Sequence, residues 1–554
     1  MAEANATLDA ILTDAGGGAT RRWFPGVAGA KLVGRLATRP WKVVRRGAGY
    51  GGELAKIAIG QSDVAPSKKD RRFRDEAWRG NPAFRRLAQA YLAAGKTVDD
   101  LISDAGLDER SERRVRFSAE NVLDALAPTN FPVTNPEALK ATLDTGGRNL
   151  VQGTANLVHD ISRPPHIPAM VDDKAFTVGE DLALTPGAVV LRTELFELIQ
   201  YQSSTAKVRE TPLLLVPPMI NKFYIADIAP GRSMLEYFVG AGQQCFTISW
   251  RNPDERHADW GLDDYVSAVL EALEAVQTIT GSERTHVMGL CAGGITASCA
   301  IGHLAAKGDL ERIAGLTLGV CVLDNANAGT VGALVDRPTA AAALAESKRK
   351  GYLDGRALAG VFAWLRPNDL VWNYWVNNYL LGKNPPAFDV LYWNADSTNL
   401  PAALHRDFME LSLSNDLVKP GERVVLDTPV DLTQITVDSY QVAGIADHIT
   451  PWQSNYRSTQ LLGSQPRFVL STSGHIASLV NPPGNEKASY QVNTENPPEA
   501  EAWLREATTH KGTWWDDYVA WLGERSGAEK PARKRLGGKG YKPLDPAPGS
   551  YVRD

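Results

Sequence analysis

Residues 285–295 read THVMGLCAGGI, and this stretch decides the fold. A short apolar run leads into the pentapeptide GLCAG, and an Ala- and Gly-rich helical pattern follows it. A G-x-C-x-G sequence between a strand and a helix is the nucleophile-elbow pattern, here with Cys291 where serine usually stands. The backbone segments in such a turn approach so closely that a Cβ at Gly289 or Gly293 would clash. A buried cysteine in a glycine-rich turn is the alternative interpretation, because short motifs also match by accident.

The composition of the chain indicates a globular protein. Its 554 residues are 44% hydrophobic and 22% charged, and the net charge of −5 argues against a protein built to hold nucleic acid. No apolar run reaches the roughly 20 residues that span a bilayer, and the start lacks the layout of a secretory signal. We therefore expect a cytoplasmic protein without a membrane span.

The cysteines also indicate the cellular compartment of the protein. Their spacing does not suit a metal site, so we expect no metal, free thiols and a reducing environment. The four are Cys245, Cys291, Cys299 and Cys321.

Residues 1–165 are predicted to form a small, mainly helical N-terminal domain with a basic arm. Between residues 15 and 52 eight basic side chains, including Arg21 and Arg22, occur without an acidic one, and apolar side chains are interleaved. This arm is expected either to lie on an anionic or amphiphilic surface, or to be a partly disordered arm or a solvated helix. Further along, the pairs Asn81-Pro82 and Asn135-Pro136 predict helix starts.

Residues 166–554 alternate between strand and helix patterns. The continuous apolar runs at 213–216 and 245–250 are typical of parallel strands that are buried on both faces. Residues 262–279 present one apolar helix face. Together with the elbow, this alternation predicts a doubly wound parallel sheet.

The alternation pauses between about residues 323 and 431, where tryptophan and asparagine are abundant. We interpret this segment as a cap insertion over the site. Its aromatic side chains could line a channel for an acyl chain or belong to ordinary packing. A Pro-, Gly- and Lys-rich tail from about residue 531 is predicted to be irregular.

Asp447 and His475 complete a candidate catalytic triad. Each follows a predicted strand, at the sheet edge where functional groups gather. The order Cys291, Asp447, His475 is the nucleophile–acid–histidine order of the α/β-hydrolase fold, so we predict an α/β-hydrolase fold with a cap insertion after the helical N-terminal domain. His475 would take the thiol proton and return it to a leaving group, and Asp447 would orient His475. His448 could assist proton removal from a second substrate or simply pack in its loop.

An oxyanion hole requires two backbone N–H groups. Ala292, the residue after the nucleophile, supplies one. The other is expected from the loop that follows the strand at 213–216, where the prolines have no N–H and Met219, Ile220 or Asn221 remain. Ile220 is our prediction.

Sulfur at the nucleophile position favours acyl transfer. A serine acyl-enzyme is an oxoester, close in energy to an ester product, whereas a cysteine acyl-enzyme is a thioester and stays activated towards an alcohol. Cys291 therefore suits transfer from a thioester donor to a hydroxyl acceptor, although hydrolysis by cysteine is also possible.

The chain resembles the polyhydroxyalkanoate synthases in long motifs. The resemblance extends to residues 70–73 and 481–484, so it covers nearly the whole chain, and the length and the absence of a second-subunit signal are similar to the single-subunit types (classes I and II). The motifs are LVPPMINKFY at 215–224, SWRNP at 249–253, GLCAGG at 289–294, WNYWVNNYL at 372–380, ADHITPW at 446–452 and SGHI at 473–476.

The resemblance implies polymerisation of (R)-3-hydroxyacyl-CoA into polyester with release of CoA. It also implies a homodimer at the surface of cytoplasmic polyester granules, a cap that opens, and no metal or redox cofactor, since coenzyme A is part of the substrate. By the same resemblance Cys291 holds the growing chain, His475 is the base, Asp447 supports it and His448 is auxiliary.

Two other functions remain open. A cysteine-dependent acyl-CoA thioesterase or hydrolase on this fold would release free hydroxy acid from 3-hydroxybutyryl-CoA. A non-catalytic granule-associated protein would use the basic arm and would behave the same after Cys291→Ala.

Overall fold

The computed structural model describes Leu12, Ala15, residues 23–325 and residues 337–554. Arg21 and Arg22 of the basic arm, and residues 326–336 of the predicted cap, lie outside these ranges. Within the described ranges no helix has the length and apolar character needed to cross a bilayer.

The N-terminal region is helical, as predicted. Asn81 and Asn135 cap two of its helices, because their side chains accept hydrogen bonds from the backbone N–H groups that follow and a proline occupies the first helical position. The main helices are α1 Val27–Ala37, α2 Pro40–Ile59, α3 Pro82–Ala105, α4 Glu109–Ala125, α5 Pro136–Asp144 and α6 Arg148–Ile161.

A ten-stranded mixed sheet forms the centre of the remaining chain, with strand order β1-β2-β5-β4-β6-β7-β12-β13-β14-β15. Six neighbouring strands, from β5 to β13 in this order, are parallel, and the four outer strands pair antiparallel. The strands of this sheet are β1 Gly187–Arg192, β2 Phe196–Tyr201, β4 Leu213–Val216, β5 Cys245–Trp250, β6 Thr285–Leu290, β7 Ile313–Gly319, β12 Ser439–Gly444, β13 Arg467–Ser471, β14 Ser489–Val492 and β15 Thr508–Lys511. Three short pairs lie outside it: β3 Lys207–Arg209 with β16 Glu529–Pro531, β8 Tyr352–Leu353 with β9 Leu400–Pro401, and β10 Val424–Val425 with β11 Thr428–Pro429.

Helices cover both faces of the sheet and give two apolar layers. One core contains the helices on either side of β6, and the other contains the tryptophan-rich last helix. The helices of this part are α7 Met234–Gly240, α8 Leu262–Thr280, α9 Ala292–Lys307, α14 Trp452–Thr459, α15 His475–Leu479, α16 Ala500–Glu506 and α17 Trp514–Arg525. The predicted doubly wound sheet is confirmed. Strand β12 begins at Ser439, after a 3₁₀ turn at Leu432–Gln434 that the Asp431 side chain caps.

The insertion between β7 and β12 forms the predicted cap. Its helices are α10 Arg337–Lys350, α11 Gly355–Leu365, α12 Asp389–Ala395 and α13 Ala402–Ser414, and two π-helical segments cover Asn368–Trp372 and Trp375–Leu380. These π-helical segments contain the tryptophan- and asparagine-rich motif at 372–380.

The N-terminal helices hold this cap motif through polar contacts. Asn149 Nδ2 donates to the Leu380 carbonyl at 2.7 Å, and the hydroxyl of Tyr379 donates to Asp160 Oδ2 at 2.8 Å. Trp375 Nε1 donates to a backbone carbonyl of the 3₁₀ turn Pro128–Asn130 at 3.0 Å. The motif is therefore a docking strip for the N-terminal region. Whether residues 1–165 form a separate domain stays a prediction.

Gly153→Ala tests this contact. A Cβ at residue 153 of α6 would overlap the backbone carbonyl of Tyr379. Because a carbonyl oxygen cannot rotate away, we expect the free energy of unfolding to fall by about 3 kcal/mol. Gly47→Ala is the matched control, since a Cβ in the middle of α2 meets open space, and alanine there should add roughly 0.5–1 kcal/mol. Urea denaturation followed by tryptophan fluorescence measures both, and equal effects would contradict the docking strip.

The basic arm forms α1 and α2, and many of its cations pair within the chain. Arg46 contacts the carboxylates of Asp100 and Asp104 at 2.7 Å each, Lys42 lies 3.4 Å from Asp104, and Lys31 lies 3.0 Å from Asp108. Large apolar side chains remain exposed on the same helices and just before them. They are Phe24, Val27, Val33, Trp41, Val43, Val44, Leu54 and Ile59.

The C-terminal tail lacks helix and sheet, as predicted, apart from β16 and a last 3₁₀ turn. It is nevertheless packed along β1, because the Val189 N–H donates to the Asp545 carbonyl and the Leu544 N–H donates to the Val189 carbonyl. Its final residues lie under the loop after β4, where the buried Lys222 Nζ donates to the carbonyls of Val552 and Asp554.

Candidate active site

Cys291 stands in a strained turn between β6 and α9. Its φ is 50°, a region that non-glycine residues rarely occupy, and its N–H donates to the Gly319 carbonyl at 2.8 Å. A Cβ at Gly289 would lie 2.9 Å from the backbone nitrogen of Gly294, and one at Gly293 would lie 2.6 Å from the Pro217 carbonyl oxygen. The predicted steric reason for both glycines is therefore confirmed.

Cys291 differs from the other cysteines in its exposure. Its side chain is partly exposed, whereas Cys245, Cys299 and Cys321 are buried. Burial raises the pKa of the Cys299 thiol to about 12 and raises the pKa values of Cys245 and Cys321 well above the ordinary value. Since thiolates are the reactive form, these three thiols are chemically inert and Cys291 is the candidate nucleophile.

Parallel register brings Asp447 and His475 to the same sheet edge. Gly444 at the end of β12 pairs with Ser471 at the end of β13, and the two side chains follow in the next loops. His475 Nδ1 lies 2.7 Å from Asp447 Oδ2, and both residues are buried. The His475 ring also interacts with the Cys291 side chain. The structure thus brings together the three residues that the sequence singled out.

The charges of this group support one another. Burial lowers the pKa of His475, but the Asp447 carboxylate and Cys291 outweigh it and raise the pKa to about 10. Burial raises the pKa of Asp447, but His475 and the hydrogen bonds from Thr450 lower it below its ordinary value. The arrangement therefore favours an ionised carboxylate next to a protonated imidazole.

The pH dependence of stability follows from these two directions. Because its pKa is raised in the folded chain, protonated His475 stabilises the folded state. This stabilisation is complete below pH 6.5, the pKa of His475 in the unfolded chain, and it is lost as the pH rises towards 10. The lowered Asp447 pKa stabilises the fold above its unfolded value of 3.8 and is lost as the pH falls through the folded value. We expect the difference in unfolding free energy between the native chain and His475→Gln to shrink by about 2 kcal/mol from pH 6.5 to 8.5. Urea denaturation at both pH values measures it, and a constant difference would contradict the raised pKa.

Thr450 is a site residue that the sequence analysis missed. Its hydroxyl donates to Asp447 Oδ2 at 2.6 Å and lies 3.2 Å from His475 Nδ1, and its N–H donates to Asp447 Oδ1 at 2.9 Å. The Ile449 N–H also donates to Asp447 Oδ1, at 2.8 Å. An aspartate followed three residues later by threonine is the signal that could have predicted this turn.

His448 lies beside the triad, towards the cap. Burial lowers the pKa of His448 to about 4, and among the nearby charges Arg366 lowers it while Asp447 and Asp369 raise it. Arg366 and Asp369 belong to the cap, directly after α11, so charges of the cap as well as of the triad act on His448. At neutral pH its ring is uncharged and can accept a proton.

The two predicted oxyanion donors lie in adjacent segments. Ala292 is the first residue of α9, where a helix leaves its N–H groups without internal acceptors. Ile220 is buried in the turn after β4, and this loop starts against the beginning of α9, since Gly293 approaches Pro217 closely. Trp250 Nε1 donates to the Pro217 carbonyl at 2.9 Å and fixes the start of the loop. The role of both donors stays a prediction.

Within residues 23–325 and 337–554 no three His, Cys, Asp or Glu side chains come together as metal ligands. The site itself offers a thiol, a charged imidazole–carboxylate pair and the backbone N–H groups of a helix N-terminus.

Comparison with known proteins identifies the family to which this chain belongs. A family described as "Poly-beta-hydroxybutyrate polymerase (PhaC) N-terminus" matches residues 69–238, and the alpha/beta hydrolase fold matches residues 213–482. Poly(3-hydroxyalkanoate) polymerase 2 of Ectopseudomonas oleovorans is 48% identical over 502 residues, which cover 91% of this chain and 90% of the relative. The chain belongs to the poly(3-hydroxyalkanoate) polymerase family.

Other members of the polymerase family agree over a similar length. Poly(3-hydroxyalkanoate) polymerase 1 of the same organism is 45% identical over 95% of this chain and 94% of its own. The poly(3-hydroxyalkanoate) polymerase subunit PhaC of Cupriavidus necator is 40% identical over 90% of this chain and 85% of its own. The predicted family and the predicted α/β-hydrolase fold are confirmed, and members of the polymerase family are acyltransferases.

Proposed function

We propose that this chain polymerises (R)-3-hydroxyacyl-CoA into polyester, with release of CoA, through an acyl-enzyme on Cys291. The observation that carries the proposal is the hydrogen-bonded pair of His475 and Asp447 beside Cys291 at a nucleophile elbow, in a chain of the polymerase family.

In the first half-reaction, His475 holds the proton of the Cys291 thiol as an imidazolium, so that Cys291 reacts as a thiolate. The sulfur then attacks the carbonyl carbon of the acyl-CoA thioester, and the bond from this carbon to the CoA sulfur breaks. The proton on His475 passes to the leaving sulfur, so CoA departs as a thiol. The N–H groups of Ala292 and Ile220 would stabilise the oxyanion between attack and departure.

In the second half-reaction, a 3-hydroxyl group attacks the acyl carbon on Cys291. The carbon–sulfur bond breaks, an ester bond forms, and the hydroxyl proton returns through a base to the sulfur. Because a thioester is higher in energy than an ester, this step runs downhill for an alcohol acceptor. Hydrolysis of the thioester is downhill as well, so the polymerase family of the chain, and not this energy difference, supports polymerisation over hydrolysis.

His448 is the proposed base for the incoming hydroxyl, because its lowered pKa keeps it neutral at pH 7. We expect His448→Gln to keep the first release of CoA, one per site, and to slow the later release by about tenfold to a hundredfold. Rapid-quench measurement of CoA separates the two phases. Equal slowing of both phases would instead assign His448 to the first half-reaction or to structure.

The granule surface belongs to the same proposal. The exposed apolar side chains of α1 and α2, such as Trp41 at 63% and Val44 at 70% exposure, support contact with an amphiphilic polyester surface. Co-sedimentation of the Trp41→Glu variant with polyester particles tests this contact, and undiminished binding would contradict it.

The homodimer and the cytoplasmic location implied by the resemblance also remain proposals. Light scattering of the purified chain tests the dimer.

The decisive experiment follows the product. With (R)-3-hydroxybutyryl-CoA and with longer acyl chains, we expect stoichiometric release of CoA and an insoluble polyester. A thioesterase would give soluble 3-hydroxy acid with the same release of CoA, and a non-catalytic granule protein would release none. Either of the last two results would overturn the proposal.

A further inference from the structure

A strongly basic segment lies in the C-terminal tail, and the catalytic chemistry does not use it. Residues 530–542 read KPARKRLGGKGYK and contain six cations without a carboxylate, in a chain whose net charge is −5. The cations are Lys530, Arg533, Lys534, Arg535, Lys539 and Lys542.

The carboxylates that flank this segment are engaged with other cations. Glu529 pairs with Lys207 at 3.7 Å, and Asp545 pairs with Arg192. In the part of the chain that the structure describes, no carboxylate forms an ion pair with the side chains of Arg533, Lys534 or Arg535. Their positive charge is therefore left uncompensated by direct ion pairs.

Four of the six cations line a wide, open surface cleft of about 550 Å³. Leu536, Tyr541 and Pro543 add apolar and aromatic surface, and the backbone of Gly537 and Gly538 completes the lining. The lining cations are Arg533, Lys534, Arg535 and Lys542. Lys539, in the same segment, does not line the cleft.

The walls of the cleft are held in place by the fold. The Ala532 N–H donates to the Ala206 carbonyl at 3.0 Å, and the Gly537 N–H donates to Gln200 Oε1 at 2.6 Å. Gly538 and Tyr541 exchange backbone hydrogen bonds of 2.8 and 3.0 Å. A ligand would therefore meet a loop that is already ordered, which reduces the entropy lost on binding.

The cleft is remote from Cys291. Gln200 and the strand β3 next to the cleft lie at the end of the sheet where the parallel strands begin, whereas Cys291 follows the end of β6. Six residues of strand separate the two ends, or about 20 Å. The cleft is thus a separate site.

The surroundings of Tyr541 indicate where negative charge would bind. Burial raises the pKa of Tyr541, and the carboxylates of Glu274 and Glu271 on α8 raise it further. These carboxylates repel anions from the tyrosine side, so phosphate groups are expected beside Arg533 and Arg535. A cluster confined to one loop, with acidic groups on one side, suits a compact anion better than an extended polyanion.

We propose that this cleft binds a nucleotide-type organic phosphate, with its phosphate groups on Arg533, Lys534, Arg535 and Lys542 and its base against Tyr541 and Leu536. Guanidinium groups bind phosphate oxygens in pairs, and aromatic rings stack on bases.

Calorimetric titration of the full chain with ADP tests the site. We expect one site whose dissociation constant rises at least about tenfold in the Arg533→Ala/Arg535→Ala double variant, because two phosphate contacts are lost. Lys539→Ala removes one positive charge from the same loop without touching the lining, and we expect a change below about twofold at 0.15 M salt. Release of CoA from the acyl-CoA substrate should be unchanged in both variants, and so should thermal denaturation, since the side chains are exposed.

Three results would overturn the proposal. One is the absence of ADP binding to the native chain, and another is equal binding by the native chain and the double variant, which would locate ADP elsewhere. The third is inorganic phosphate binding as tightly as ADP, which would mean that the apolar wall takes no part.

Discussion

Replacing Cys291 by alanine is expected to lower the release of CoA by at least about 10⁴-fold, because no other side chain in the site can carry the acyl group. Cys291→Ser is the sharper variant. Its hydroxyl can still be acylated slowly, but the resulting oxoester lies close in energy to the product ester. We therefore expect a slow first release of CoA and no polymer. Spectrophotometric detection of free thiol, with product solubility recorded, distinguishes the two variants.

Cys245→Ala is the matched control for this pair. The thiol of Cys245 is buried in β5, and burial holds its pKa well above the ordinary value. Its loss should lower stability slightly and leave turnover within about twofold. Polymer formation by Cys291→Ala would remove the acyl-enzyme from the mechanism.

Substitution of His475 is expected to have the second largest effect. His475→Gln keeps a polar side chain of similar size but cannot take the thiol proton, so we expect release of CoA to fall by about 10³- to 10⁴-fold. Asp447→Asn should slow the reaction less completely, by about 10²-fold, because the Thr450 hydroxyl, 3.2 Å from the same Nδ1, still contacts the ring. Single-turnover kinetics on the two variants measure both losses.

His303→Gln provides the control, since this partly buried histidine of α9 lies in the helix that follows Cys291 without belonging to the triad. Its turnover should match that of the native chain. A larger loss for Asp447→Asn than for His475→Gln would contradict the assignment of the base.

The elbow and the proximity of Cys291, Asp447 and His475 could be predicted from sequence, because they depend on local steric rules and on strand order. Gly289 and Gly293 are required by steric crowding within one turn. The strands run parallel, so the residues that follow each strand lie at the same edge of the sheet. Asp447 and His475 are 28 residues apart in sequence, yet both follow strand patterns that read clearly. Local pattern and topology were sufficient here.

Contacts between distant segments could not be predicted in the same way. The cations of α2 face Asp100 and Asp104 of α3, so the segment is less free for an anionic partner than its composition indicated. The tail, irregular as predicted, is fixed by β1 and Lys222. Such pairings depend on which surfaces meet in three dimensions, and composition alone does not contain that information.

The docking strip at 372–380 has a consequence for redesigning which monomers enter the polymer. The side chains of Trp375, Asn378 and Tyr379 donate hydrogen bonds to the N-terminal part of the chain or to the adjoining linker. Randomising these positions should yield libraries dominated by poorly folded variants. Diversity introduced outside the strip should leave that scaffold intact.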